Sequence, residues 1–305
     1  MKKRIVGGYA LRIGENLTLN SRIQEIARDL YDIGGMAEEI VAFTGLSELE
    51  VYQRLCRELN ETGWNVRKEC QRFGVTSHVF TPEMVEFYRE SNGFIFETLV
   101  ESQNRDRKKK WFQIIRFLFG VCNNRPEDVT VLLYGDSVGS DSIFLKQLGF
   151  KVTYHDYESL CSDFAVFRFR KRNLEISKKS QHKGDKTYDF VICMEVAEHV
   201  PYPDQLVTEL KSLMRPLIGF CIFSEAFSLL TDNYPTHLRE NIAYAGRTDE
   251  MFQEVGLYPV WQDRHRKPVV YGFSRHLYLT ADGIRLGPID RLGKKLLDVF
   301  ICRSS

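Results

Sequence analysis

A glycine turn near the middle of the chain is the first place where residue types and spacing indicate chemistry. The apolar residues 129–134 are followed by the sequence GDSVG at 135–139, and a helical pattern begins directly afterwards. In such a turn the backbone N–H groups and the helix N-terminus face a crevice at the carboxyl end of the sheet. Gly135 and Gly139 also allow the chain to pass very close to a ligand. The turn therefore predicts a ligand-binding site.

The same five residues match the nucleophile elbow G-x-S-x-G of α/β-hydrolases, with Ser137 as the nucleophile. Partners in the order Ser, Asp, His are available as Asp204 or Asp232 and His237 or His276. In that fold several strands precede the elbow and one of their loops supplies the oxyanion hole, whereas the residues before this turn have helical patterns. A serine hydrolase is therefore the less favoured interpretation.

An acidic residue at the end of the next apolar run supports ligand binding at the turn. Residues 151–157 predict a strand with Asp156 near its end, 21 residues after Gly135, and Tyr157 follows directly. A carboxylate at this place, beside a glycine turn, can accept hydrogen bonds from both hydroxyls of a ribose. The spacing therefore indicates a ligand that contains a ribose.

The elements that must position these residues fall into two parts. Residues 1–125 show helical patterns, with capping sequences at Ser47 and at Thr81. From residue 126 onward, short β-type runs alternate with helical patterns, which predicts a parallel sheet covered by helices on both faces. We therefore expect an N-terminal α-helical lid and substrate domain over 1–125 and an α/β, doubly wound domain over 126–305.

Composition limits the class of protein further. The chain has 305 residues with 42 Lys+Arg against 41 Asp+Glu, and this balance argues against a general affinity for nucleic acid or anionic membranes. No apolar run approaches the roughly 18 residues of a membrane span, and no apolar region follows the basic N-terminus as in a secretory signal. The seven cysteines include no Cys-x-x-Cys pair, which favours free thiols. We expect a cytoplasmic protein without a metal site.

The segment 188–201, with the sequence YDFVICMEVAEHVP, resembles the fourth-strand motif of class I S-adenosylmethionine-dependent methyltransferases of the small-molecule type. Residues 206–219 are similar to the helix, the Arg-Pro turn and the fifth strand that follow in this family. The resemblance covers about residues 126–280. It implies a Rossmann-like, seven-stranded doubly wound sheet, S-adenosylmethionine as the cofactor, and methyl transfer to the oxygen, nitrogen or carbon of a small-molecule acceptor.

The resemblance also assigns the cofactor site residue by residue. Asp156 would hold the ribose and Tyr157 would lie beside the adenine. Ser137 stands where the family usually has a glycine, and Leu133 stands where it often has an acid. The family's acid that contacts the adenine amine after the third strand is not evident in residues 173–179. Because of Ser137 and this missing acid, a non-catalytic subunit that only binds a partner stays an alternative. The residues that would contact the cofactor are Gly135, Asp136, Ser137, Gly139, Asp156, Tyr157, Met194, Glu195 and Val196.

Methyl transfer from a sulfonium is an in-line displacement, for which a protein supplies proximity, alignment and a dry pocket. A general base assists when the acceptor is a hydroxyl or an acidic carbon. The loop after the fifth strand overhangs the cofactor in this fold, and His237 is its imidazole. His199, directly after the fourth strand, is the second candidate base. In the helical part, Tyr88 is the candidate substrate residue.

A basic and partly aromatic stretch keeps a macromolecular acceptor as the alternative. The sequence RFRKR at 168–172 and the basic residues within 178–183 lie in one strand–helix unit. A solvated helix face is the more usual outcome for such a run. An RNA or protein methyltransferase is therefore the second hypothesis, with nucleic acid disfavoured by the overall charge and with the oligomeric state left open.

Overall fold

The computed structural model describes residues 13–122, 125–178, 187–262, 268–273, 277–280 and 283–286. Its first part is helical, as the sequence predicts. The Ser47 hydroxyl accepts a hydrogen bond from the Glu50 N–H, and the Thr81 hydroxyl accepts one from the Met84 N–H. The helices are α1 (Ile13–Leu30), α2 (Ile33–Thr44), α3 (Glu48–Asn60), α4 (Trp64–Phe73), α5 (Pro82–Glu90), α6 (Gly93–Glu101) and α7 (Arg105–Val121).

The second part is the predicted α/β fold. Its helices are α8 (Ser140–Gln147), α9 (Leu160–Lys171), α10 (Pro203–Leu213) and α11 (Thr248–Glu254). Its strands are β1 (Thr130–Tyr134), β2 (Lys151–His155), β3 (Ser177–Lys178), β4 (Phe190–Met194), β5 (Phe220–Ser224), β6 (Tyr258–Gln262), β7 (Val269–Gly272), β8 (Leu277–Thr280) and β9 (Gly283–Leu286).

The main sheet has seven strands in the order β3-β2-β1-β4-β5-β7-β6, which confirms the predicted fold class. The first five of these strands run parallel, while β7 is antiparallel to both of its neighbours. The carboxyl ends of β1, β2, β4 and β5 therefore lie at one edge. The edge strand β3 has only two residues and was not predicted. Strand β8 does not join the main sheet but pairs with β9 in a separate, antiparallel two-stranded sheet.

Alternate residues of β1 face two different cores, because a strand between parallel neighbours is covered on both faces. Val131 and Leu133 pack in one cluster with Ile23 of α1 and with Ile114 and Leu118 of α7. The opposite face packs against α10 and α11. Helices α1 and α7 thus form a layer that covers one face of the sheet, although they precede residue 126. The predicted domain boundary at 125/126 stays a prediction.

A third core joins the helical part to the α/β part. Apolar residues of α2, α3 and α6, including Ile40, Leu55 and Phe96, pack with Phe164 of α9. This packing holds the helices over the end of the sheet where the glycine turn lies. None of the described helices combines the length and the apolarity needed to cross a bilayer.

Candidate functional site

The glycine turn after β1 packs directly against the turn after β4. Gly135 has a φ of +75° and Gly139 a φ of +73°, in the region that favours glycine. A Cβ atom at Gly135 would lie 2.4 Å from Val196 Cγ2, and one at Gly139 would lie 2.6 Å from the Phe169 ring. Both glycines are therefore required by close packing between protein segments. Ser137 lies between them with a φ of +43°, a conformation that costs a non-glycine residue free energy.

Asp136 uses its carboxylate to hold the helix that follows the turn. Its oxygens accept hydrogen bonds from the Asp141 N–H at 3.2 Å and the Ser142 N–H at 2.7 Å. Asp141 in turn forms an ion pair of 2.9 Å with Arg107 of α7. Burial raises the pKa of Asp136 and raises that of Asp141 to about 7. The Asp136 side chain thus contributes to the site by orienting α8.

Asp156 lies at the end of β2 and braces the same turn. Its Oδ2 accepts from the Ser137 N–H at 2.5 Å and its Oδ1 from the Tyr157 N–H at 2.7 Å. The Tyr154 hydroxyl donates to the Ser137 carbonyl at 2.6 Å. Burial raises the pKa of Asp156 to about 7. Each carboxylate oxygen has a second lone pair, so the group retains the acceptors that a ribose diol requires.

The floor of the crevice is formed after β4. Glu195 has a φ of +55°, and its carboxylate accepts a hydrogen bond of 2.6 Å from the Ser224 hydroxyl of β5. The same hydroxyl lies 3.4 Å from Met194 Sδ, and Lys110 Nζ lies 4.0 Å from Glu195 Oε1. Met194, Glu195 and Val196 therefore form one surface at the carboxyl ends of the strands, where the sequence predicts the cofactor floor.

The two predicted histidines contact each other, and His199 also contacts Tyr88. The rings of His199 and His237 are 4.8 Å apart between centroids and nearly perpendicular. His199 Nδ1 lies 3.1 Å from the Tyr88 hydroxyl, and His237 Nδ1 lies 2.6 Å from the Leu229 carbonyl oxygen. Burial, with help from the neighbouring His237, lowers the pKa of His199 to about 3, and burial also lowers the pKa of His237. Both imidazoles are therefore neutral at physiological pH.

Asn241 and Leu238, which sequence reasoning missed, fix the positions of the two histidines. The carbonyl oxygens of Ala197, Glu198 and Val200 lie 2.9–3.1 Å from the Asn241 amide nitrogen and share its two N–H donors. The Leu238 N–H donates to the Glu198 carbonyl. The loop after β5 is thereby tied to the turn after β4. Glu198 itself is buried with 1% exposure. Its position beside His199 was visible in the sequence, but nothing there showed that its side chain is enclosed.

Helix α6 covers the glycine turn and brings acidic side chains with it. Thr98 Oγ1 lies 3.4 Å from Ser137 Oγ. Burial, reinforced by Glu58 and Glu101, raises the pKa of the neighbouring Glu97 to about 8. No pattern in the sequence distinguishes these residues. Glu97 thus supplies a carboxyl group that is protonated at neutral pH in the same helix whose Thr98 contacts the turn.

Glu97 should make the protein less stable as pH rises. Its pKa is raised above the unfolded value, so the folded state binds the extra proton, and stability falls between about pH 4.5 and pH 8. In Glu97→Gln this loss is removed, and we expect its Tm to exceed that of the wild type by about 3–8 °C at pH 9 but not at pH 4.5. Thermal unfolding at both pH values checks this. Glu86→Gln, at an exposed glutamate of α5, is the control, and an equal shift in both variants would contradict the prediction.

Part of the predicted basic stretch lies inside the protein. Arg168 has 0% exposure and forms an ion pair of 2.9 Å with Glu39, while it also donates to the Val138 carbonyl at 2.7 Å. Arg172 pairs with Glu39 and with Asp29. Residues 179–183 lie outside the described residues. Two of the arginines in 168–172 therefore stabilise the fold, and they leave less of this stretch to face a polyanion.

Comparisons with known proteins identify a family and several similar structures. A family model described as a methyltransferase domain matches residues 103–276. Magnesium protoporphyrin IX methyltransferase from Synechocystis PCC 6803, crystallised with bound S-adenosylmethionine, is 18% identical, with 57% of this chain and 83% of that chain covered and a TM-score of 0.42. A putative sarcosine dimethylglycine methyltransferase from Galdieria sulphuraria is 14% identical, with 65% and 75% covered and a TM-score of 0.43. No curated protein matches the sequence.

Proposed function

The chain belongs to the methyltransferase-domain family, and from this membership we propose that it transfers a methyl group from S-adenosylmethionine to a small-molecule acceptor. The observation that carries the proposal is the junction of Asp156 with the turn 135–139 at the carboxyl end of the sheet. There a half-buried carboxylate, whose oxygens keep further lone pairs, lies beside backbone N–H groups and a helix N-terminus. This combination suits a nucleoside with a polar tail.

S-adenosylmethionine, when bound, supplies a methyl group activated by the sulfonium. Asp156 would accept hydrogen bonds from the ribose, and the exposed Tyr157 ring would lie beside the adenine. The turn 135–139 would hold the methionine part through its backbone. Met194, Glu195 and Val196 would exclude water below the sulfonium, since their packing on Ser224 and Gly135 leaves them a fixed surface.

The acceptor is proposed to bind beside the histidine pair. His199 lies in the turn after β4 and His237 in the loop after β5. Tyr88 of α5 contacts His199 from the helical side. These three side chains come from both parts of the chain. They are therefore suited to orient an acceptor between the helices and the sheet, with His237 as its first contact.

His237→Ala is expected to slow methyl transfer at least about tenfold while leaving the Kd for S-adenosylmethionine unchanged, because the imidazole contacts the acceptor and not the cofactor. The acceptor is found by incubating the chain with S-adenosylmethionine carrying a tritiated methyl group and a cell extract. Label is expected in the dialysable small-molecule fraction, and the variant is compared on that fraction. Unchanged transfer by the variant would remove His237 from the acceptor site.

The alternative acceptors are separated by the same incubation. Label in the RNA or protein fraction would favour a macromolecular acceptor, whose support in the basic stretch is reduced by the internal pairing of Arg168 and Arg172. A chain that neither binds S-adenosylmethionine nor transfers label would be a non-catalytic subunit. Membership in the methyltransferase family argues against a serine hydrolase. The Ser137 hydroxyl, the nucleophile in that interpretation, lies 3.4 Å from Thr98 Oγ1.

A further inference from the structure

Three side chains with metal-binding atoms meet beside Tyr88. One ligand atom from each of Glu198, His199 and His237 lies within 4.8 Å of the others. Glu198 and His199 belong to the turn after β4, and His237 belongs to the loop after β5. The cluster therefore bridges the two segments that Asn241 ties together.

The Glu198 carboxylate distinguishes this cluster from ordinary buried polar groups. The residue is 1% exposed, and its Oε2 atom has no hydrogen-bond partner among the described residues. A buried polar atom left without a partner costs about 1–3 kcal/mol, and more when it is charged. A cation bound at this oxygen would remove that cost.

The hydrogen bonds of the two imidazoles are those expected of metal ligands. His237 Nδ1 lies 2.6 Å from the Leu229 carbonyl oxygen, so it donates its proton there and Nε2 keeps a lone pair. His199 Nδ1 lies 3.3 Å from the Thr236 carbonyl oxygen and 3.1 Å from the Tyr88 hydroxyl oxygen. A proton on Nδ1 can be donated to both oxygens, and Nε2 then keeps the lone pair. Histidines that bind metals commonly place their second nitrogen on a carbonyl or carboxylate in this way.

We propose that Glu198, His199 and His237 bind one divalent first-row transition-metal ion such as Zn²⁺ or Co²⁺. Two imidazoles and one carboxylate suit these ions, whereas Mg²⁺ and Ca²⁺ prefer oxygen ligands. Bonds of about 2.0–2.2 Å require ligand atoms about 3.5 Å apart, so the side chains close by about 1 Å on binding. From the sequence we expect no metal site, because its cysteines include no Cys-x-x-Cys pair.

An ion held by three protein ligands keeps a coordination position for water or substrate. The class of acceptor that this site favours is therefore one with an oxygen donor, such as a hydroxyl or a carboxylate. This extension to the acceptor rests on the proposed function, while the metal site itself rests on Glu198, His199 and His237 alone.

The test uses the full chain, freed of metal by dialysis against EDTA and titrated with Co²⁺ by calorimetry and by visible absorption. We expect one equivalent to bind, with d–d bands and no thiolate charge-transfer band, because no cysteine belongs to the cluster. Glu198→Gln and His237→Gln should each weaken binding at least about 100-fold. His78→Asn is the control: its imidazole bonds to the His237 carbonyl from outside the cluster, and asparagine tolerates its positive φ.

Three results would overturn the metal site: no Co²⁺ binding by the folded wild-type chain, a Co²⁺ affinity in both ligand variants equal to that of the wild type, or a thiolate charge-transfer band. Circular dichroism checks folding, and if Glu198→Gln unfolds, His237→Gln and the wild-type spectrum still decide. S-adenosylmethionine is titrated into the metal-free chain in parallel. Cofactor binding without Co²⁺ binding refutes the metal site alone, and Co²⁺ binding without cofactor binding refutes the proposed function alone.

Discussion

Asp156→Ala is expected to abolish measurable binding of S-adenosylmethionine. The substitution removes the carboxylate that we propose accepts both ribose hydroxyls, and hydrogen bonds to a charged group contribute about 1.5–3 kcal/mol each. The loss is therefore about 100-fold at the least. It also removes the brace on the Ser137 N–H, which acts in the same direction because the turn loses its fixed conformation. Isothermal titration calorimetry of the wild type and the variant provides the measurement.

Two further variants separate cofactor binding from a general disturbance of the fold. Glu158→Ala removes an exposed carboxylate two residues away and should leave the Kd unchanged. Asp156→Asn keeps the shape of the side chain and one acceptor oxygen, so it should fold normally. Because it lacks the second acceptor and the charge, we expect it to bind the cofactor more weakly than the wild type does. Wild-type affinity in folded Asp156→Ala would show that this strand end does not hold the ribose.

Glu39→Ala is expected to cost about 3–5 kcal/mol of unfolding free energy, since it leaves the fully buried Arg168 guanidinium without its counter-charge. Arg168 also holds the Val138 carbonyl and the Ser140 hydroxyl at the start of α8, so the glycine turn should loosen with it. Urea unfolding followed by circular dichroism gives the change. The matched control is Asp29→Ala, which removes an exposed partner of Arg172 and should cost about 0–1 kcal/mol.

The pair Glu39→Leu with Arg168→Met tests the physical reason. Removing both charges together also removes the desolvation cost, so the double variant should recover most of the stability that Glu39→Ala loses. A double variant as unstable as Glu39→Ala would mean that packing in this region, and not the unpaired charge, accounts for the loss. Equal losses in Glu39→Ala and Asp29→Ala would contradict the prediction directly.

The parts of the fold that could be predicted from the sequence are those that depend on residues close together in the chain. The apolar runs of β1, β2, β4 and β5 and the glycine turn each lie within a few residues, and the cofactor crevice follows from their parallel order. Strand β3 was not predicted because its two residues are both exposed and too few to show an alternation of apolar and polar residues. Its pairing depends on β2, which lies elsewhere in the chain.

The contacts that sequence reasoning could not predict join residues far apart. The stretch 168–172 has the charge pattern of a solvated helix face, and Arg168 is enclosed because α2 supplies Glu39, 129 residues earlier. Similarly, His199 and His237 were each proposed for the site, but their contact depends on Asn241 holding two loops together. Such partners are set by packing of whole elements, and a single sequence has no local sign of them.

The packing of α1 and α7 on the sheet has a consequence for how this protein is made. One face of β1, β4 and β5 is completed by residues such as Ile23 and Ile114, which leave the ribosome before any strand does. The apolar faces of α1 and α7 therefore stay exposed until the sheet forms, and without these helices one apolar face of the sheet stays exposed. We expect the two parts to acquire their structure in one cooperative step, and a chain that begins at residue 126 to aggregate.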